Sequence, residues 1–117
     1  MATLRTLFPE KWLLENQDPR KYFPKITEVA LKESIARQAK AMDDWDGVCD
    51  RLPTITQPTL LMTGTDDILT PPQNSLNMAQ KIPGAWLVQI EGGGHGMMFQ
   101  YPNKFTEAVL VFLRDLN

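Results

Sequence analysis

The apolar positions follow two different rhythms on either side of residues 52–58. Before that boundary the pattern is helical and broken. Pro9 can open a short helix through Asn16, since its missing N–H has no helical partner at that position. Trp12, Leu13 and Leu14 give that helix an apolar patch, with Leu7 and Phe8 leading in. Asp18-Pro19 and Phe23-Pro24 interrupt regular structure. A second helix is expected from about Leu31 to Trp45. Leu31, Ile35, Ala39 and Met42 recur at helical spacing, and Lys32, Glu33, Arg37 and Lys40 take the other face. Gly47 is a suitable stop, and Asp43, Asp44 and Asp46 read as a solvated helix end. After the boundary, strand and helix alternate. Thr59-Leu60-Leu61-Met62-Thr63, bounded by Pro58 and Gly64, reads as a strand buried on both faces. Pro71-Pro72 opens a helix to about Ile82, with Leu76, Ala79 and Ile82 facing inward, and Pro83-Gly84 ends it. Ala85 to Ile90 is a second strand, followed by a glycine-rich loop from Glu91 to Gly96. Pro102 opens a last helix, where Phe105, Ala108, Val109, Phe112, Leu113 and Leu116 form one apolar stripe. Strand–helix–strand with a helix of this length predicts two parallel strands and a right-handed crossover. The class is α/β.

Composition narrows the candidate functions. The 117 residues are 43% apolar and 22% charged, the balance of a globular chain and not a disordered one. One domain of this size buries roughly two-thirds of its unfolded surface on folding. A formal charge of −2 without a Lys/Arg cluster disfavours nucleic acid and anionic membrane as partners. No apolar run approaches the roughly 18 residues a membrane span needs, and no secretory signal pattern follows Met1. The single cysteine excludes an internal disulfide framework and fits a reducing, cytoplasmic compartment. With one Cys and one His, a zinc site would need carboxylates or a second chain. The one histidine, His95, is the residue that asks for an explanation.

Functional groups in a parallel α/β sheet collect beyond the carboxyl ends of the strands. Gly64-Thr65-Asp66-Asp67-Ile68-Leu69-Thr70-Pro71-Pro72 follows the first strand, and Gly92-Gly93-Gly94-His95-Gly96 follows the second. An acid and a histidine are thereby delivered to one sheet edge, one per loop. A carboxylate accepting from one ring nitrogen fixes the histidine tautomer and stabilises imidazolium. Taken singly, an Asp at a turn is usually a cap and a lone His a satisfied polar residue; their joint placement is what suggests chemistry.

On these motifs, residues 58 to 113 resemble the C-terminal part of an α/β-hydrolase. Gly64, Asp67 and Pro71 match the family's G-x-x-D-x-x-x-P pattern after its seventh strand. Gly92, Gly94 and His95 match the G-x-G-H loop after its eighth. The resemblance implies a partial α/β-hydrolase fold, with two parallel strands flanked by helices. Residues 58–117 would be the C-terminal βαβα part of the core, and residues 1–57 the end of a helical cap with its return helix. It implies that His95 is the catalytic base and Asp67 its orienting acid, in the family's order of nucleophile, acid, histidine. Motif spacing favours Asp67 over the adjacent Asp66. Met97 and Met98 follow the histidine, where the family lines a substrate pocket; by residue type alone they fit core packing. Phe8, Trp12 and Tyr22 are open to the same two readings, as cap residues over a pocket or as a buried helical patch.

The departure from the family is large. The elbow G-x-S-x-G is absent: Ser34 and Ser75 are the only serines, and neither has the flanking glycines. Cys49 also lacks an elbow and reads as a partly buried structural thiol. The oxyanion-hole segment and the first six strands have no counterpart. The expectation is the acid–histidine portion of an esterase-like hydrolase, needing no metal or organic cofactor, and inactive alone for lack of a nucleophile. Its partner would be a complementary N-terminal hydrolase segment supplying nucleophile and oxyanion hole. In the family's sheet the seventh strand lies between the sixth and eighth, so Thr59–Thr63 would expose an apolar edge. Self-association through that edge is the expected consequence. The competing reading is a non-catalytic binding module that kept this part of the fold.

Overall fold

The computed structural model describes residues 2–22 and 28–116; the break expected at Phe23-Pro24 lies outside the described residues. The chain runs α1 (Ala2–Leu7), α2 (Glu10–Glu15), a 3-10 turn (Pro19–Tyr22), α3 (Lys32–Asp43), a second 3-10 turn (Leu52–Thr54), β1 (Leu60–Gly64), α4 (Pro72–Lys81), β2 (Trp86–Ile90), α5 (Met97–Gln100) and α6 (Pro102–Asp115). β1 and β2 are parallel neighbours, in register from Leu60 opposite Trp86 to Gly64 opposite Ile90. These are the two parallel strands flanked by helices expected from the sequence.

Proline chemistry sets the helix starts. Pro9 precedes α2 with φ −57° and ψ 144°, and its carbonyl accepts from the Leu13 N–H at 3.1 Å. Pro71 is extended before α4, and Pro72 and Pro102 stand at first helical positions, where no N–H is needed. Gly84, with φ +69°, turns the chain from α4 into β2. The Thr59 carbonyl accepts from the Trp86 N–H at 2.9 Å, so pairing begins one residue ahead of β1.

The core gathers Phe8, Trp12, Leu52, Ile82, Ile90, Met97 and Phe112. Phe112 meets Trp86 edge-on, with ring centroids 5.6 Å apart, and so fastens α6 to β2. The helical stripes are less covered than their periodicity predicts. Ile82 is buried, but Leu76 is exposed, as are Leu113 and Leu116 of the last stripe. On α3 no described residue is buried, and Leu31, Ile35 and Met42 face solvent. β1 is also not buried on both faces as expected: Leu60, Leu61 and Met62 are half-buried, and only Thr63 and Gly64 are enclosed. The reason is shared. A continuous apolar strand needs a strand on each side and a layer on each face, and among the described residues β1 has one neighbouring strand. Cys49 corrects its reading in the same way, since it is exposed in the turn after α3. No helix among the described residues is long and apolar enough to cross a membrane.

Candidate active site

Two loops leave the carboxyl ends of β1 and β2 side by side and are laced together by backbone. The Thr65 N–H donates to the Ile90 carbonyl at 3.0 Å, and the Asp66 N–H to the Gly93 carbonyl at 2.8 Å. The Thr65 hydroxyl accepts from the Gly92 N–H at 2.9 Å. This crossing works because Gly64 has no side chain: a β-carbon there would fall on the Gly93 carbonyl.

The first loop folds around Asp67, whose side chain is 5% exposed. Its Oδ1 accepts from the Leu69 and Thr70 N–H groups, both at 2.9 Å. Its Oδ2 accepts from the Thr70 hydroxyl at 2.8 Å and stands 3.0 Å from His95 Nδ1. Asp66 points outward and is exposed. The structure therefore brings together Asp67 and His95, and leaves Asp66 on the surface.

The second loop holds the imidazole 38% exposed, with Nδ1 turned to the acid and Nε2 on the far side of the ring. Gln100 anchors the loop from below. Its buried Oε1 accepts from the Gly94 N–H at 2.7 Å, and its Nε2 donates to the Gly92 carbonyl at 3.3 Å. The N-terminal segment closes over the top. The Gly96 N–H donates to the Leu7 carbonyl at 2.8 Å; the ring of Phe8, 1% exposed, packs where a side chain at Gly96 would stand, and the Leu7 carbonyl and Pro9 close on Gly94. Phe8 stacks on Trp12 at 4.7 Å, and Trp12 meets Tyr22 edge-on at 5.2 Å. Of the two methionines after the histidine, Met97 is buried and Met98 is exposed. An open depression of about 380 Å³ beside the loops is lined by Arg5, Phe8, Pro9, Asp66 and Ile68 among others, and by neither methionine.

The sequence also matches a known protein family. Residues 35–117 match the TAP-like protein family of α/β-hydrolases. The chain belongs to that family. A protein of Pseudomonas syringae pv. syringae named as a carbamate hydrolase, RutD, is 34% identical over 92% of this chain and 42% of its own length. The chain thus spans about two-fifths of the curated relatives it matches. Among solved structures, an enol-lactonase from Burkholderia xenovorans superposes with a TM-score of 0.81 at 26% identity, over 97% of this chain and 43% of that one. A hydrolase from Pseudomonas aeruginosa gives 0.80 at 30% identity, over 96% and 42%.

Beside His95, burial raises the pKa of the Asp67 carboxyl. The Thr70 N–H, the Thr70 hydroxyl, His95 and the Leu69 N–H together outweigh it and hold the pKa below the ordinary aspartate value. A depressed folded-state pKa contributes stability that is complete above the unfolded pKa of about 3.9 and is lost as pH falls through the folded value. Urea unfolding across that acidic window should show falling stability with falling pH, and Asp67→Asn should flatten the slope. An unchanged slope in Asp67→Asn would assign the loss to other carboxylates.

Sequence reasoning missed Thr70 and Gln100. Gln100 carried a readable signal, as a lone amide between Met97-Met98-Phe99 and Tyr101 where the pattern is otherwise apolar. Thr70 carried none, because a Thr before Pro-Pro is ordinary turn chemistry. Among the described residues, no three His, Cys, Asp or Glu side chains are grouped to hold a metal ion.

Proposed function

We propose that this chain is the acid–histidine portion of a hydrolase acting on esters, amides or related acyl bonds, with Asp67 and His95 as its catalytic pair. The observation that carries the reading is the 3.0 Å approach of buried Asp67 to His95 Nδ1 at the ends of two adjacent parallel strands. With Nδ1 bonded to the acid, Nε2 is the free base. It takes the proton of a nucleophile held by a complementary N-terminal hydrolase segment and returns it to the leaving group. Asp67 stays ionised and steadies the imidazolium. In this reading residues 1–57 end a cap and return to the sheet, residues 58–117 form the core, and Met97 and Met98 stand beside the acyl pocket. The names of the relatives, carbamate hydrolase and enol-lactonase, point to acyl carbons bearing oxygen or nitrogen leaving groups. The lone, unpaired Cys49 suits a reducing cytoplasm.

Alone, the chain should turn over no ester above background. Mixed with the N-terminal portion of the B. xenovorans enol-lactonase, it should gain lactone hydrolysis that His95→Ala abolishes. Association without turnover would favour the non-catalytic binding module instead. Without that segment, the free edge of β1 pairs with a second copy in this reading, and light scattering on the unmixed chain reports a dimer.

A further inference from the structure

We propose that Thr70 is a positioning residue of the acid–histidine pair, selecting the Nδ1–H tautomer of His95 through its hydroxyl. The inference rests on the functional reading above and adds to it a residue that acts through the other two. Thr70 Oγ1 lies 2.8 Å from Asp67 Oδ2 and 3.1 Å from His95 Nδ1, and those two atoms are 3.0 Å apart. Three polar atoms thus close a triangle, each within hydrogen-bond distance of the other two.

The triangle has one self-consistent proton arrangement. An ionised carboxylate only accepts, so the single hydroxyl proton of Thr70 goes to Oδ2. The hydroxyl oxygen then presents a lone pair to Nδ1, beside the second lone pair offered by Oδ2. Two acceptors face one ring nitrogen, and only a nitrogen carrying a proton satisfies them. With the proton on Nε2 instead, Nδ1 would bring a third lone pair into the triangle. Thr70 therefore disfavours the wrong tautomer from a direction that Asp67 does not cover. It also holds the acid: its N–H bonds Oδ1 while its hydroxyl bonds Oδ2, so one residue grips both carboxylate oxygens. Pro71, following directly, restricts Thr70 to extended backbone and removes an alternative helical path for the turn. Valine would fill the same space and keep the N–H bond, but would lose both hydroxyl contacts, to Oδ2 and to Nδ1.

His95 is the only histidine in the chain, so its ring nitrogens can be read without assignment in the ¹⁵N-labelled 117-residue chain. The expected result for the natural chain is a ring held as the Nδ1–H tautomer, with an acid-side inflection of the ring signals as Asp67 titrates. Thr70→Val should give a mixture of tautomers and move that inflection to higher pH. Thr70→Ser should restore both, which a packing role for the methyl group would not. Thr70→Ala provides the same deletion should the valine variant misfold. The proposal is overturned if Thr70→Val and Thr70→Ala match the natural chain, or if Thr70→Ser departs from it as far as they do. Asp67→Asn separates this from failure of the functional reading. If it disturbs the tautomer while the Thr70 variants do not, Thr70 alone is wrong. If the natural chain itself has the tautomer mixture of free imidazole and Asp67→Asn changes nothing, the pair and the proposal fail together.

Discussion

Gly64→Ala is expected to lose about 3 kcal/mol or more of stability, seen as a fall of about 10 °C or more in Tm by circular dichroism. The reason is the crossing of the two loops. An added β-carbon would sit on the Gly93 carbonyl and close to the Gly94 carbonyl, both backbone atoms with nowhere to go. The Gly93 carbonyl is held in place by the Asp66 N–H. Relief would require β1 and β2 to part at their carboxyl ends, where the acid and histidine emerge. Gly47→Ala is the matched control. Gly47 has φ +84° but nothing within 4 Å of an added β-carbon, so only conformational strain applies. That cost is about 1 kcal/mol. Equal melting temperatures for the two variants would show that the loops are not packed as described.

The second large effect is chemical. In the reconstituted hydrolase, Asp67→Asn should lower kcat by about ten-thousand-fold, the scale seen when a triad acid becomes an amide. The carbonyl of the new Asn can keep the Leu69 and Thr70 N–H bonds, which leaves its NH₂ at the position of Oδ2. That group donates to His95 Nδ1 and drives the ring proton to Nε2, where the base is needed. Substrate affinity should change little, since Asp67 is buried beneath the imidazole. A loss below tenfold would mean that another group orients His95.

The parts of the fold legible in the sequence are those with a short-range cause. Prolines at 9, 72 and 102 fixed helix starts, and the Gly-x-x-Asp and Gly-x-Gly-His spacings fixed what each loop carries. α1 and α5 were not foreseen: each is a short segment at the margin of a turn, stabilised by docking and not by its own periodicity. Burial was overestimated for Leu60 to Met62, Leu76 and the α3 stripe. An apolar pattern records the partners a segment is written for, and the described residues supply only some of them. At the candidate site, Asp67 and His95 stood out because each occupies a motif position in a loop that follows a strand. Thr70 and Gln100 did not, because a hydroxyl or amide is identified as a bracket only by the geometry of what it holds.

The Leu7 carbonyl and the Gly96 N–H, bonded at 2.8 Å, are far apart in sequence, with both strands between them. Contacts of such long sequence separation close late, since the loop-closure entropy must be met before they return any stability. Phe8 has no cradle until Gly94 and Gly96 have been synthesised and folded beneath it. The N-terminal helices therefore wait on the histidine loop during biosynthesis, with Phe8 and Trp12 exposed in the interval. Ordering of the histidine loop and burial of Phe8 and Trp12 are then one folding event.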